Sequence, residues 1–250
     1  MTSLINRRGF VSSSLAAAAA TAAVAKVSSA MEAAAAQQPL RDGSVILFQG
    51  DSITDARRDR KQSSPNNPRG LGSGYPMLIA SGLLRDHPAS QLKIHNRGIS
   101  GNKVPDLDAR WQEDCLDLKP DLLSILIGVN DIWHKLNGRY DGTVEIYQSG
   151  LRELLQRTRE SLPKTRIVIC EPFVLRCGAV NDSWFPEFDN RRAACLEVAQ
   201  SMSLQVVPFQ TMFDEVTGQV PPAYWAADGV HPTMAGHALM AQTWRKVVGI

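Results

Sequence analysis

Ser52, Asp228 and His231 are side chains whose types and spacing suit covalent acyl transfer. That chemistry needs a nucleophile, a base to take its proton, a carboxylate to orient the base, and donors for a developing oxyanion. Ser52 follows Gly50-Asp51 at the end of an apolar run, where a tight turn would lift its hydroxyl above a sheet. His231 can act as the base, and Asp228, three residues earlier, can hold one imidazole tautomer. The backbone N–H groups of Ser52 and Gly98 and the side-chain amide of Asn130 are the candidate oxyanion donors. Each fragment alone has a plainer reading. A serine after a strand is commonly a turn or cap residue, Asn130-Asp131 suits a helix N-cap, and Asp228-x-x-His231 suits a loop hydrogen bond or part of a metal site.

The elements that must position these residues are legible as alternating strands and helices. Val45–Phe48, Leu92–His95, Leu122–Ile127, Ile167–Cys170 and Gln205–Val207 are short, largely apolar runs, as expected of strands covered on both faces. Apolar residues three or four apart predict helices over 104–118, 144–162, 187–203 and 235–248, with Pro163 stopping the second. Strand–helix alternation implies parallel strands joined by right-handed crossovers, hence a three-layer α/β/α sandwich. If the ends of the first three strands are to bring Ser52, Gly98 and Asn130 to one point, the first must lie between the other two. That is a flavodoxin-like order, 2-1-3-4-5, in a five-stranded parallel sheet. Ligands in such sheets bind beyond the carboxyl ends of the strands, which is where the candidate residues fall. The polar stretch Ala56–Gly74 is a long loop, expected to be functional or mobile, and its Arg57–Lys61 run reads as a solvated face near Ser52.

Gly50-Asp51-Ser52, Gly98, Asn130 within Gly-Val-Asn-Asp at 128–131, and Asp228 with His231 together resemble the four sequence blocks of the SGNH (GDSL-type) hydrolases, in that family's order. The resemblance implies an ester hydrolase with Ser52 as nucleophile, His231 as base and Asp228 as orienter. It implies an oxyanion hole of Ser52, Gly98 and Asn130. Longer stretches are similar to the carbohydrate acetylesterases, acetylxylan esterases among them: Asn-Arg-Gly-Ile-Ser-Gly-Asn at 96–102, Gly-Val-Asn-Asp-Ile-Trp-His at 128–134 and Tyr-Trp-Ala-Ala-Asp-Gly-Val-His-Pro-Thr at 224–233. An acetylated carbohydrate is then the expected substrate, with neither cofactor nor metal required. Asp51, Trp133 and Trp225 flank the blocks and are candidates for substrate contact; for the tryptophans core packing is the plainer reading and a platform beneath a sugar ring the functional one. Two competing readings are a lipid or thioester acylhydrolase and a non-catalytic carbohydrate-binding protein on the same fold. His87, His95, His134 and His237 read as structural, with His134 the exception to watch because it lies near Asn130.

Residues 1–36 stand apart from this domain, which spans 37–250. Arg7-Arg8-Gly9-Phe10, an Ala-rich run to Ala25 and Ala34-Ala35-Ala36 have the parts of a cleavable export signal, and the paired arginines resemble the twin-arginine motif. Export to the periplasm or beyond is therefore expected. Three of the 27 cations and one of the 25 anions fall in this leader, so the remainder is formally neutral, which argues against nucleic acid as a partner. No other stretch approaches the roughly 18 consecutive apolar residues of a membrane span. The four cysteines lack the spacings of a zinc site; buried free thiols are the plainer reading, while Cys170 and Cys177 are close enough in sequence to pair in an oxidising compartment.

Overall fold

The computed structural model describes residues 40–250, so the expected export leader lies outside the described residues. Five strands form one sheet: β1 (Val45–Gly50), β2 (Lys93–Asn96), β3 (Leu122–Leu126), β4 (Arg166–Cys170) and β5 (Gln205–Val207). All neighbours are parallel, in the order β2-β1-β3-β4-β5. Side chains alternate between the two faces. Ile46, Phe48, Leu122, Val168 and Cys170 enter one core, whereas Leu47, Leu123, Ile125, Ile167 and Ile169 enter the other. A strand buried on both faces must be apolar throughout, and each such Leu, Ile or Phe contributes about 1.5–3 kcal/mol by leaving water.

Helices supply the outer layers. In chain order they are α1 (Ser52–Asp55), α2 (Pro68–Leu71), α3 (Tyr75–Asp86), α4 (Val104–Ala109), α5 (Val129–Leu136), α6 (Val144–Ser161), α7 (Glu187–Ser201), α8 (Phe209–Thr217), α9 (Pro222–Trp225) and α10 (Met234–Val248). Tyr75, Ile79 and Leu83 of α3 and Met240, Trp244 and Val248 of α10 pack on the first face. Leu107, Leu151, Leu154 and Val198, from α4, α6 and α7, pack on the second. Two buried tryptophans find polar partners: Trp244 Nε1 donates to Ser124 Oγ and Trp111 Nε1 to Thr158 Oγ1, each at 2.9 Å.

The helix expected over 104–118 is broken. α4 ends at Ala109, and Gln112–Leu116 forms a π-helical turn. Leu107, Trp111 and Cys115 recur every four residues, and a wider turn keeps that spacing on the sheet side where an α-helix would rotate it away. Helices α3, α5 and α8 stand outside the four spans predicted to be helical, as do the single-turn helices α1, α2 and α9. The long stretch Ala56–Gly74 is anchored rather than loose. Asn66 Nδ2 donates to Leu92 O (2.6 Å), Asn66 Oδ1 accepts from Ile94 N (2.9 Å), and Asn66 N donates to Ile94 O (2.9 Å). The loop thus covers the outer edge of β2, where unpaired strand groups would otherwise invite another chain. Cys115, Cys170, Cys177 and Cys195 are all free thiols, so Cys170 and Cys177 are not paired.

Candidate active site

β1 ends at Gly50, and the chain turns at once into α1, with Asp51 as its N-cap and Ser52 as its first helical residue. The Asp51 carboxylate accepts from Ile53 N at 3.0 Å. Ser52 Oγ lies 2.8 Å from His231 Nε2, and His231 Nδ1 lies 2.7 Å from Asp228 Oδ2. Asp228 Oδ1 meanwhile accepts from the backbone N–H groups of Val230 (2.9 Å) and His231 (2.7 Å). Partial burial pushes the Asp228 carboxyl up, but the His231 side chain and these two N–H groups outweigh it and hold it below the usual carboxylate range. An ionised Asp228 accepts from Nδ1–H, which leaves Nε2 as the acceptor for the Ser52 hydroxyl.

The loop carrying Asp228 and His231 is shaped by its neighbours. Leu175 N donates to Gly229 O (2.8 Å), Ala179 N to Asp228 O (2.9 Å) and Thr233 N to Trp225 O (2.8 Å). Gly229 has φ +85°, and a Cβ there would stand 2.5 Å from both Cys177 O and Leu175 O. Only glycine fits such a turn.

The expectation for Gly98 needs correction. Its N–H is already taken, donating to Asn96 Oδ1 at 2.9 Å, while Asn96 Nδ2 donates to Thr54 O and Leu71 O. Gly98 is required for a different reason: a Cβ would stand 2.4 Å from Asp55 N, so its absence lets the loop lie against α1. Three residues on, Gly101 has φ +84° and its N–H finds no acceptor among the described residues. The Ser52 N–H, at the start of α1, likewise has none. Asn130 is 4% exposed, and its Nδ2 donates to Asn102 O at 3.2 Å, leaving the second amide hydrogen available. Gly128, not Asn130 or Asp131, is the N-cap of α5. Gly101 lies within the same 96–102 stretch as Gly98. Nothing in the sequence alone separated its N–H from that of Gly98.

Asp51 is corrected as well. It is 1% exposed, capping α1 from beneath, and offers no surface to a substrate. Burial pushes its carboxyl up to about 7, with the neighbouring Asp131 adding to the rise. Asp131 is fully buried, accepts from Val104 N at 3.3 Å, and is likewise pushed to about 7 by burial. Trp133 lies beside the base: its ring centroid is 5.8 Å from that of His231 and 5.5 Å from that of Trp184. The Trp225 ring instead packs on the core and edge-on to Tyr224, while its carbonyl closes the 225–233 turn.

The expected solvated face at Arg57–Lys61 is partly buried scaffolding. Arg58 Nε donates to Gly98 O (2.6 Å), and burial lowers its guanidinium to about 10. Arg60 pairs with the buried Asp55, whose carboxylate also accepts from Ser100 N at 3.0 Å. These contacts lock the Gly98–Gly101 loop to α1, and sequence order gave little hint of them. His237, as expected, is structural: its Nδ1 accepts from Tyr75 N at 3.2 Å, and burial lowers it to about 4.

The model of the GDSL-like lipase/acylhydrolase family matches residues 48–239, from β1 to within α10. The chain belongs to that family. Acetylxylan esterase of Geobacillus stearothermophilus is 33% identical over 211 residues, which is 83% of this chain and 94% of that relative. A crystal structure from Parabacteroides merdae, described as GDSL-like lipase, shares 50% identity with a TM-score of 0.83, covering 85% of this chain and 99% of that one. The Geobacillus acetylxylan esterase crystal structure gives 32% identity and a TM-score of 0.75 over 84% of this chain and 96% of its own. Solved forms of that esterase include catalytic mutants in which a serine or a histidine is replaced by alanine. The protein is a carboxylic ester hydrolase of SGNH type. Among the described residues, no helix is long and apolar enough to cross a membrane.

Proposed function

We propose that this esterase removes acetyl groups from carbohydrate esters through an acyl-enzyme on Ser52. The observation that carries the reading is the unbroken chain Ser52 Oγ–His231–Asp228, at 2.8 and 2.7 Å, beyond the carboxyl end of β1. Ser52 Oγ attacks the ester carbonyl carbon as its proton passes to His231 Nε2, and the carbonyl oxygen becomes an oxyanion. That oxyanion meets the N–H groups of Ser52 and Gly101 and the free hydrogen of the Asn130 amide. The intermediate collapses, the bond to the alcohol oxygen breaks, and His231 returns the proton to that oxygen. Water then repeats the sequence on the acyl-enzyme, His231 again taking and returning the proton, and acetate leaves. Asp228 remains an anion throughout and stabilises the imidazolium.

The acetyl and carbohydrate preference rests on likeness to the Geobacillus acetylxylan esterase and on Trp133, an aromatic wall beside the base. The test is acetate release from acetylated xylo-oligosaccharides beside p-nitrophenyl esters of increasing chain length. Turnover should be greatest on acetyl esters and should include the sugars; a preference for long acyl chains would replace this reading with a lipid acylhydrolase. A serine-directed phosphonate should label Ser52 stoichiometrically. We propose further that residues 1–36 are a twin-arginine-type export signal preceding a catalytic domain at 37–250. Mass spectrometry of the native protein should then find its N-terminus between about Ala25 and Gln37.

A further inference from the structure

Asn130, Trp133 and His134 are one helical turn apart on α5, at i, i+3 and i+4, and therefore share one face. Two of the three have their place in the site. Asn130 reaches the Gly98–Gly101 loop through its bond to Asn102 O, and Trp133 lies against His231. His134 occupies the remaining position, over Gly101: its Cε1 is 3.8 Å from where a Cβ on that glycine would stand. The ring is half-buried, and among the described residues neither of its nitrogens has a hydrogen-bond partner. Its side chain is not needed to end the helix, because its backbone carbonyl does that by accepting from Arg139 N at 2.8 Å.

The charged groups around His134 are Lys103, Asp106 and Arg139. Desolvation first, then Lys103 and Arg139, lower the imidazole below its ordinary value, with Asp106 opposing them. Lys103 is itself occupied, bonded to Asp106 at 2.6 Å and lying 5.2 Å over the Tyr140 ring. A neutral imidazole offers one donor and one acceptor, the same pair that a hydroxyl offers. The acyl half of an acetyl ester has only a methyl group beyond its carbonyl. With the carbonyl oxygen met by Ser52, Gly101 and Asn130, the polar partner left for His134 is on the alcohol half.

We propose that His134 is a specificity-determining residue that hydrogen-bonds a hydroxyl of the alcohol half of the ester, selecting esters of polyols such as sugars. This rests on the esterase reading above and deepens it. His134 takes no proton in the reaction, and among the described residues it makes no hydrogen bond to Ser52 or His231. Its bond is made in both the bound substrate and the transition state, so its loss raises KM rather than lowering kcat.

The experiment compares the native enzyme, His134→Phe and His134→Gln on an acetylated xyloside, its analogue lacking the hydroxyl next to the ester, and p-nitrophenyl acetate. For His134→Phe, the ratio of kcat/KM on the acetylated xyloside to that on p-nitrophenyl acetate should fall about 3–10-fold, the usual worth of one neutral hydrogen bond. The fall should appear in KM, and His134→Gln should recover part of it. Removing the substrate hydroxyl should cost the native enzyme a similar factor and cost His134→Phe nothing more. An unchanged ratio, or an equal penalty for the deoxy analogue in both proteins, overturns the proposal while leaving the esterase reading intact. A native enzyme that cleaves p-nitrophenyl acetate but no acetylated xyloside overturns both this proposal and the carbohydrate preference it rests on, while remaining an esterase. The analogue comparison within the native enzyme stands even if the Phe variant folds poorly.

Discussion

Ser52 and His231 meet at 2.8 Å, yet the two regions that bring them there are built differently. The Ser52 turn is enclosed: Asp51, Ile53, Thr54 and Asp55 around it are all 3% exposed or less. It inherits its position from β1, the strand flanked by β2 and β3, and from the cores on both faces of the sheet. The Asp228–His231 loop is open, with those two side chains 41% and 43% exposed. It is held by individual hydrogen bonds from Leu175, Ala179 and Thr233, and by one glycine in a left-handed conformation. The nucleophile is thus fixed by packing, which changes only when the domain does. The base is fixed by local bonds, which can fail singly while the fold survives.

The sharpest way to separate the two halves is to remove the nucleophile alone. Ser52→Ala should lower kcat on the order of 10⁴-fold or more, with the residual rate owed to binding and the oxyanion donors. Its melting temperature should stay near that of the native protein, since the hydroxyl is not part of the core. Near-normal acetate release would remove Ser52 from the mechanism. Next in size is Asn130→Ala, where kcat should fall by about 10²–10³-fold with little change in KM, the loss typical of one oxyanion donor. Asn130→Asp should do no better, because a carboxylate repels the forming oxyanion; an active Asp variant would place Asn130 outside the hole.

The open loop should break more gently. Gly229→Ala must shift the turn away from Cys177 O and Leu175 O and force alanine to φ near +85°. A strain of about 1–3 kcal/mol in that loop should displace His231 and lower kcat by roughly 10-fold or more. Thermal scans should show a much smaller change than Gly98→Ala, which drives a Cβ into the backbone of α1. If Gly229→Ala melts as early as Gly98→Ala, the contrast between a packed half and a tethered half is wrong.

The smallest effect on turnover is expected beneath the nucleophile. Asp51 is raised to about 7 in the folded protein from an ordinary 3.8, by burial first. Between those values the unfolded chain has given up the proton and the native state has not, so stability falls as pH rises from about 4 to 7 and levels off above. Asp51→Asn keeps an acceptor for Ile53 N but cannot ionise. It should match the native protein in urea unfolding near pH 4 and exceed it near pH 8. A gap that does not widen with pH would show that the Asp51 carboxyl is better solvated than its burial implies.

Much of the architecture was legible because strands buried on both faces must be continuously apolar, and helices against them must repeat every three to four residues. The strand order followed from asking which arrangement brings Ser52, Gly98 and Asn130 to one point. Helices α3, α5 and α8 were missed even though Tyr75, Ile79 and Leu83 carry the helical spacing. The π-helical turn at Gln112–Leu116 was not legible, since a four-residue recurrence fits either helix type over so short a span. Arg58 read as a solvated cation because charge is usually exposed. Its burial depends on the carbonyl of Gly98, forty residues away.

By itself the sequence determined the reacting types, their order and the sheet that carries them, because these follow from local chemistry and periodicity. Tertiary structure alone decided which groups remain free to act. Gly98 and Gly101 are equally good donors on paper, yet Asn96 takes the N–H of the first and nothing among the described residues takes that of the second. Asp51 adjoins Ser52 in the chain but is sealed beneath it, whereas Trp133 comes from a distant strand end to lie against His231. Hydrogen-bond saturation and burial depend on partners far off in the chain, and those partners exist only once the chain has folded.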